Sequence, residues 1–124
     1  MWNSDSRSGD SQFVKWAKKV KIRDQFTCQI CERQNVYLNS HHKNSWDHFV
    51  EQRYNVGNGT TLCASCHKKF HELFGYGNNT ELQFNEFRLI AEVFKKILRK
   101  KRLQIQTIVV ETPADSEFIE YEHD

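Results

Sequence analysis

Cys28-Gln29-Ile30-Cys31 and Asn58-Gly59-Thr60-Thr61-Leu62-Cys63-Ala64-Ser65-Cys66-His67-Lys68-Lys69-Phe70-His71 are the two stretches whose reading decides the fold. Each Cys-x-x-Cys unit brings two sulfurs to one side of a tight turn or helix start. The two units are separated by 31 residues. That spacing suits one tetrahedral Zn²⁺ with four thiolates, Cys28, Cys31, Cys63 and Cys66. Zinc prefers soft sulfur ligands and supplies folding energy that a small core lacks. The alternative is a pair of small disulfides in a secreted domain. No signal peptide or transmembrane run is visible, so metal ligation in a reducing, cytoplasmic setting is the expectation.

Histidines extend the argument beyond a staple. His67 and His71 are four apart on an expected helix and share one of its faces. Cys66 points about 100° away from His67 around that helix, so the two faces can serve two metals. A rival set, Cys63, Cys66, His67 and His71 around a single zinc, leaves Cys28 and Cys31 without partners and is less economical. His41 and His42 follow an expected strand, where neighbouring side chains point to opposite faces. A metal held by neutral nitrogens keeps positions open for a phosphate oxygen. A separate neutral His can take a proton from an attacking water. Any one His taken alone is read as a polar surface residue; four at this spacing are not.

Around these stretches the chain reads as one domain with extensions, since 124 residues are too few for two full cores. Residues 1–12 are polar and expected to fray. Ser11 or Asp10 caps a helix with Phe13, Trp16, Ala17 and Val20 on one stripe. Val36 to His42 reads as a strand. Lys43 to Asn58 is a long polar stretch anchored by Trp46, Phe49 and Tyr54, ending in a Gly57-Asn58-Gly59 turn. Thr60 to Leu62 reads as a returning strand. A helix from Cys63 to about Phe74 ends at Gly75 or Gly77. Glu81 to Arg102 reads as a long amphipathic helix, and Leu103 to Val110 as a short strand. The expected divisions are therefore 1–12, a core over 13–80, a basic helix and strand over 81–110, and an acidic tail over 111–124.

Charge is unevenly spread. Net charge is +2, but residues 111–124 hold six acids and no Lys or Arg, so residues 1–110 carry +8. A basic body suits a polyanion. Lys95, Lys96, Arg99, Lys100, Lys101 and Arg102 form the densest cluster and are expected to contact backbone phosphates. Lys18 and Lys19, with Lys15 and Lys21, form a second candidate patch. The bland reading of both is a solvated helix face.

The stretch from Arg23 to His71 resembles the HNH nuclease family. The residues that carry the resemblance are Arg23-Asp24-Gln25-Phe26-Thr27-Cys28-Gln29-Ile30-Cys31, His41-His42, Asn58-Gly59-Thr60-Thr61-Leu62-Cys63-Ala64-Ser65-Cys66-His67, and His71. The resemblance implies an α+β fold: a small ββα-metal core in a treble-clef zinc frame of four cysteines, with flanking helices. It implies that His42 is the general base and that His41, His67 and His71 hold a catalytic divalent ion. Many relatives have Asp in place of His41, and a His-His pair is closer to the colicin-type DNases. Asn58 takes the place of the family Asn, which braces the loop holding the base; Asn55 is the fallback. The implied cofactors are structural Zn²⁺ and a catalytic Mg²⁺, Mn²⁺ or Ni²⁺. The implied activity is cleavage of DNA, duplex by expectation, with no membrane partner. Residues 71–80 are similar to the segment just after the core in many phage-encoded enzymes, homing endonucleases among them, which would place the protein in a bacterial host cell. Competing readings are a non-catalytic zinc module that binds DNA or protein, and an accessory subunit of a phage DNA-processing complex. A homodimer would be needed for paired cuts.

Overall fold

The computed structural model describes residue 7 and residues 9–111, with side chains described as far as residue 106. The acidic tail beyond Glu111 and most of the polar N-terminus lie outside the described residues.

Helix α1, Ser11–Arg23, starts at Asp10, whose carboxylate accepts the backbone N–H groups of Gln12 and Phe13. Those donors would otherwise be orphaned in the first turn. Its stripe buries Phe13, Trp16 and Val20, with Ala17, Trp46 and Val56 packed against them. Full burial of each such apolar side chain stabilises the fold by about 2 kcal/mol. At the other end, Arg23 donates to Asp24 and to the carbonyls of Val56 and Gly59. The Asp24 carboxylate also accepts the Thr61 N–H. Burial works against its charge, but these donors hold its pKa below the usual value. This clip fixes the helix end to the sheet.

Strands β1, Leu38–His42, and β2, Gly59–Cys63, form an antiparallel ribbon in the register Leu38–Cys63, Ser40–Thr61 and His42–Gly59. Val36 and Tyr37, expected in the first strand, precede it and are exposed. Cross-strand partners share a face. The Ser40, His42, Gly59 and Thr61 face meets α1: the Ser40 hydroxyl donates to the Ala17 carbonyl, and the His42 ring lies on Trp16. The opposite face, with His41, Thr60 and Leu62, meets the following helices. Gly59 must lack a side chain, because a Cβ there would come within 2.4 Å of Val20 Cγ2 and 2.8 Å of Trp16 Cζ2.

Helix α2, Ala64–Phe74, is capped by Cys63 and closed by Gly75 at φ 78°, a left-handed position suited to glycine. Helix α3, Glu81–Glu111, buries Phe84 and Phe87 near its start, with Phe70 of α2 against both rings. The stretch 103–110 is therefore helical and not the expected strand. No Gly or Pro interrupts residues 81–112; Phe87, Ala91, Phe94 and Leu98 keep three-to-four spacing, and Ile105 falls on the same stripe two turns on. The architecture is α+β, with a ββα unit formed by β1, β2 and α2. The chain falls into two compact units, Met1–Leu89 and Ile90–Asp124. Among the described residues no helix is long and apolar enough to cross a membrane.

Candidate active site

Two groups of ligand atoms gather in the first unit. The sulfurs of Cys28, Cys31, Cys63 and Cys66 lie within 4.8 Å of one another, and so do ring nitrogens of His41, His67 and His71. The clusters are separate, so the mixed set of two cysteines and two histidines is not the one the fold assembles.

The sulfur cluster is built from a knuckle and a helix start. Cys28 N–H donates to the Arg33 carbonyl, Glu32 N–H donates to the Cys28 carbonyl, and Glu32 takes φ 66° to turn the chain. Gln29 N–H ties this knuckle to the Thr61 carbonyl of β2. Cys31 Sγ is 3.6 Å from Cys63 Sγ. Zinc–sulfur bonds of about 2.3 Å in a tetrahedron put sulfurs about 3.8 Å apart, so the cluster fits that ion. Donation from the Cys66 thiol pulls the Cys28 thiol down to about 4, with burial opposing it. The same donation raises Cys66, and burial raises Cys31. One thiolate is thus favoured while its neighbours resist ionising beside it, as four crowded sulfurs do until a cation offsets their charge.

One ring of the imidazole cluster is held by its second nitrogen. His71 Nδ1 is 2.9 Å from the Gly75 carbonyl, an acceptor, so Nδ1 carries the proton and Nε2 keeps its lone pair. That Nε2 lies 3.1 Å from His67 Nε2. His41 Nε2 is buried with no hydrogen-bond partner among the described residues. Metal–nitrogen bonds of about 2.05 Å place tetrahedral ligands about 3.3 Å apart, so the three nitrogens suit one divalent ion. All three rings are driven neutral, the form that ligates. Burial pushes His41 well below 6.5, with His67 and His71 adding to it, and burial beside His71 takes His67 to about 4. Burial also lowers His71, against the pull of the Gly75 carbonyl. Tyr76 stacks on His71 at 4.3 Å, and Phe70 packs edge-on against His41.

His42 leaves the strand on the other face, yet it lines the same cavity of about 260 Å³ as the three histidines. Arg7, Ser45, Trp46, Tyr76 and Asn79 also line it. His42 Nε2 is 2.9 Å from the Arg53 carbonyl. A carbonyl only accepts, so Nε2 carries the proton and Nδ1 holds the basic lone pair. Burial takes the ring to about 4, with the Arg53 carbonyl opposing. Asn58 is buried and bridges the segment after the histidine pair. Its Oδ1 accepts the Asn44 N–H, and its Nδ2 donates to the carbonyls of Asn44 and Gln52. Asn55 instead caps the turn through Gly57 N–H.

Residues 28–73 match the family model for HNH endonuclease. This segment is an HNH domain. No curated protein and no solved structure matches the chain. The HNH domain contains both metal-type clusters, His42 and Asn58, whereas α1 lies outside it. Of the basic residues read from the sequence, Lys18 and Lys19 are exposed on α1. Lys95, Lys96, Arg99, Lys100, Lys101 and Arg102 belong to the second unit; all but Lys95, which pairs with Glu92 at 3.5 Å, are exposed. Sequence reasoning missed Arg53 and Ser45, and it read Trp16 only as core and Trp46 only as an anchor. Arg53 acts through its carbonyl, which no side-chain pattern reports. Tyr76 carried one faint signal, an aromatic set between two glycines beside a metal-type histidine.

Proposed function

We propose that this protein is a metal-dependent endonuclease that hydrolyses phosphodiester bonds in DNA, with His42 as the general base. The observation that carries the reading is a division of labour around one cavity. Three imidazole nitrogens converge there, while a fourth imidazole is held apart from them with its Nδ1 lone pair unengaged by any hydrogen bond among the described residues. A binding module needs no such ring.

His41, His67 and His71 would hold the divalent ion, which would polarise a phosphate oxygen and offset the charge that grows on it. Three neutral imidazoles favour a first-row transition ion over Mg²⁺, whose usual ligands are oxygens. His42 Nδ1 takes the proton from the attacking water as the water oxygen bonds to phosphorus and the bond to the leaving oxygen breaks. The Arg53 carbonyl stabilises the resulting imidazolium through Nε2–H. Asn58 holds the segment between the histidine pair and the Arg53 turn. The four cysteines would carry a structural Zn²⁺. Phosphate contacts by the Lys95–Arg102 cluster and by Lys18 and Lys19 would supply affinity without reading sequence.

The test is cleavage of supercoiled plasmid with Mn²⁺, Ni²⁺ or Mg²⁺ added, comparing wild type with His42→Ala at equal zinc content. Wild type should nick or linearise the plasmid. The variant should be slower by about 100-fold or more, the range for loss of a general base. If neither protein cuts while both bind DNA, the nuclease reading gives way to a zinc module that only binds.

A further inference from the structure

We propose that Trp16 is a positioning residue for His42, so that the reactive ring is oriented by a helix outside the HNH segment. This rests on the reading of His42 as the base. The indole of Trp16 lies face-on against the His42 imidazole, with centroids 3.8 Å apart and planes 11° from parallel. A hydrogen bond to the Arg53 carbonyl fixes one edge of the imidazole but leaves it free to tilt about that edge. The indole face removes that freedom and leaves only motion within the ring plane. Trp46, edge-on at 5.5 Å, and Phe13 at 6.1 Å also pack against the ring.

The indole is itself immobilised. Trp16 is 2% exposed, and its Nε1–H donates to the Asn55 carbonyl at 2.8 Å. Asn55 stands two residues after Arg53, so one side chain holds both the face of the imidazole and the turn that grips its edge. The bare Gly59, paired with His42 across the ribbon, leaves the space into which the indole slides. A near-parallel stack is one of the arrangements aromatic pairs favour, so the contact holds the plane of the imidazole as well as packing the core. Preorganisation of this kind matters because small misplacements of a reacting group are costly.

The test uses the full zinc-loaded chain, with Trp16→Met, which keeps bulk without an aromatic face, and Trp16→Phe, which restores a face. On plasmid with Mn²⁺, Trp16→Met should lower kcat by about tenfold or more while KM stays within about twofold, and Trp16→Phe should recover most of the loss. Two-bond ¹⁵N–¹H correlations should show His42 in wild type as a single tautomer protonated at Nε2, and as a mixture in Trp16→Met. Its Cδ2 and Cε1 protons in wild type should carry upfield ring-current shifts from the indole. A zinc-loaded Trp16→Met that cuts at the wild-type kcat with an unmoved tautomer overturns the proposal. So does wild-type protein without those ring-current shifts, whether or not the Met variant folds. If wild type fails to cut at all, the nuclease reading falls while the spectra still decide whether Trp16 orients the ring.

Discussion

Two adjacent histidines end up in different surroundings because a strand alternates. His41 joins His67 and His71, and His42 lies on Trp16. That split was legible from the sequence, since neighbouring strand residues face opposite ways. The tautomers were not legible, because they are set by the carbonyls of Arg53 and Gly75, whose placement depends on tertiary turns. Burial of neutral rings has a pH consequence. His42 and His67 titrate near 4 in the folded chain and would titrate near 6.5 when unfolded. Above 6.5 both states leave these rings neutral, and their full stability contribution is present. As pH falls from about 6.5 towards 4, the unfolded chain takes up protons that the folded chain refuses, so stability is lost through that window. Each ring accounts for about 3 kcal/mol across it. Urea unfolding of zinc-loaded protein without a second divalent ion should therefore show a midpoint that is flat between pH 7 and 8 and lower at pH 5. Zinc content is assayed at each pH. The dependence should shrink in His42→Gln, and a wild-type midpoint flat down to pH 5 would contradict the burial argument.

Elements, like residues, were legible where the pattern is periodic or the chemistry is demanding. The capped α1 stripe, the α2 helix between Cys63 and Gly75, and the two Cys-x-x-Cys units could be read because each has a local physical cause. The stretch 103–110 misled because its alternation is weak, while helical spacing carried on from Phe94 and Leu98 with no breaker. The ribbon is the weakest element by itself, since an isolated hairpin is marginal in water. It persists because α1 covers one face, α2 and the start of α3 cover the other, and the knuckle is tied to Thr61. The knuckle holds little apolar surface of its own, so its order should depend on the ion. Apparent binding energies of structural zinc, about 10–16 kcal/mol, match or exceed the whole stability of a small domain, about 5–15 kcal/mol. Stripping zinc with a strong chelator, or substituting Cys31→Ser, should therefore abolish the near-ultraviolet circular dichroism of Trp16 and Trp46 and the cooperative melt. A chelated protein that still melts cooperatively at the original temperature would show that the four cysteines do not staple the fold.

At the scale of the whole molecule, the candidate site and the densest basic run belong to different units. The clusters, His42 and Asn58 lie in the first unit, and the densest run of positive charge lies in the second. At about 100° per residue, Lys96 and Lys100 project from the side of α3 opposite Phe94, Leu98 and Ile105, with Arg99 beside them. Such a face can serve solvation alone, or it can bind a polyanion. The two uses differ in their response to salt. Side chains that neutralise phosphates release condensed counterions, so the logarithm of affinity falls with the logarithm of salt by about 0.9 for each contact on duplex DNA. A solvated face contributes no such slope. Replacing Lys96, Arg99 and Lys100 together by Gln should lower the slope by about 3 if each meets a phosphate, and should weaken binding equally for unrelated duplex sequences. The rate at saturating DNA should stay near that of wild type, because these groups act on encounter and grip and not on the reacting atoms. Fluorescence anisotropy with labelled duplexes across a salt series reads the slope, and plasmid nicking at high protein reads the rate. An unchanged slope would return the cluster to ordinary surface charge and leave Lys18 and Lys19 on α1 as the remaining candidates for the backbone contact.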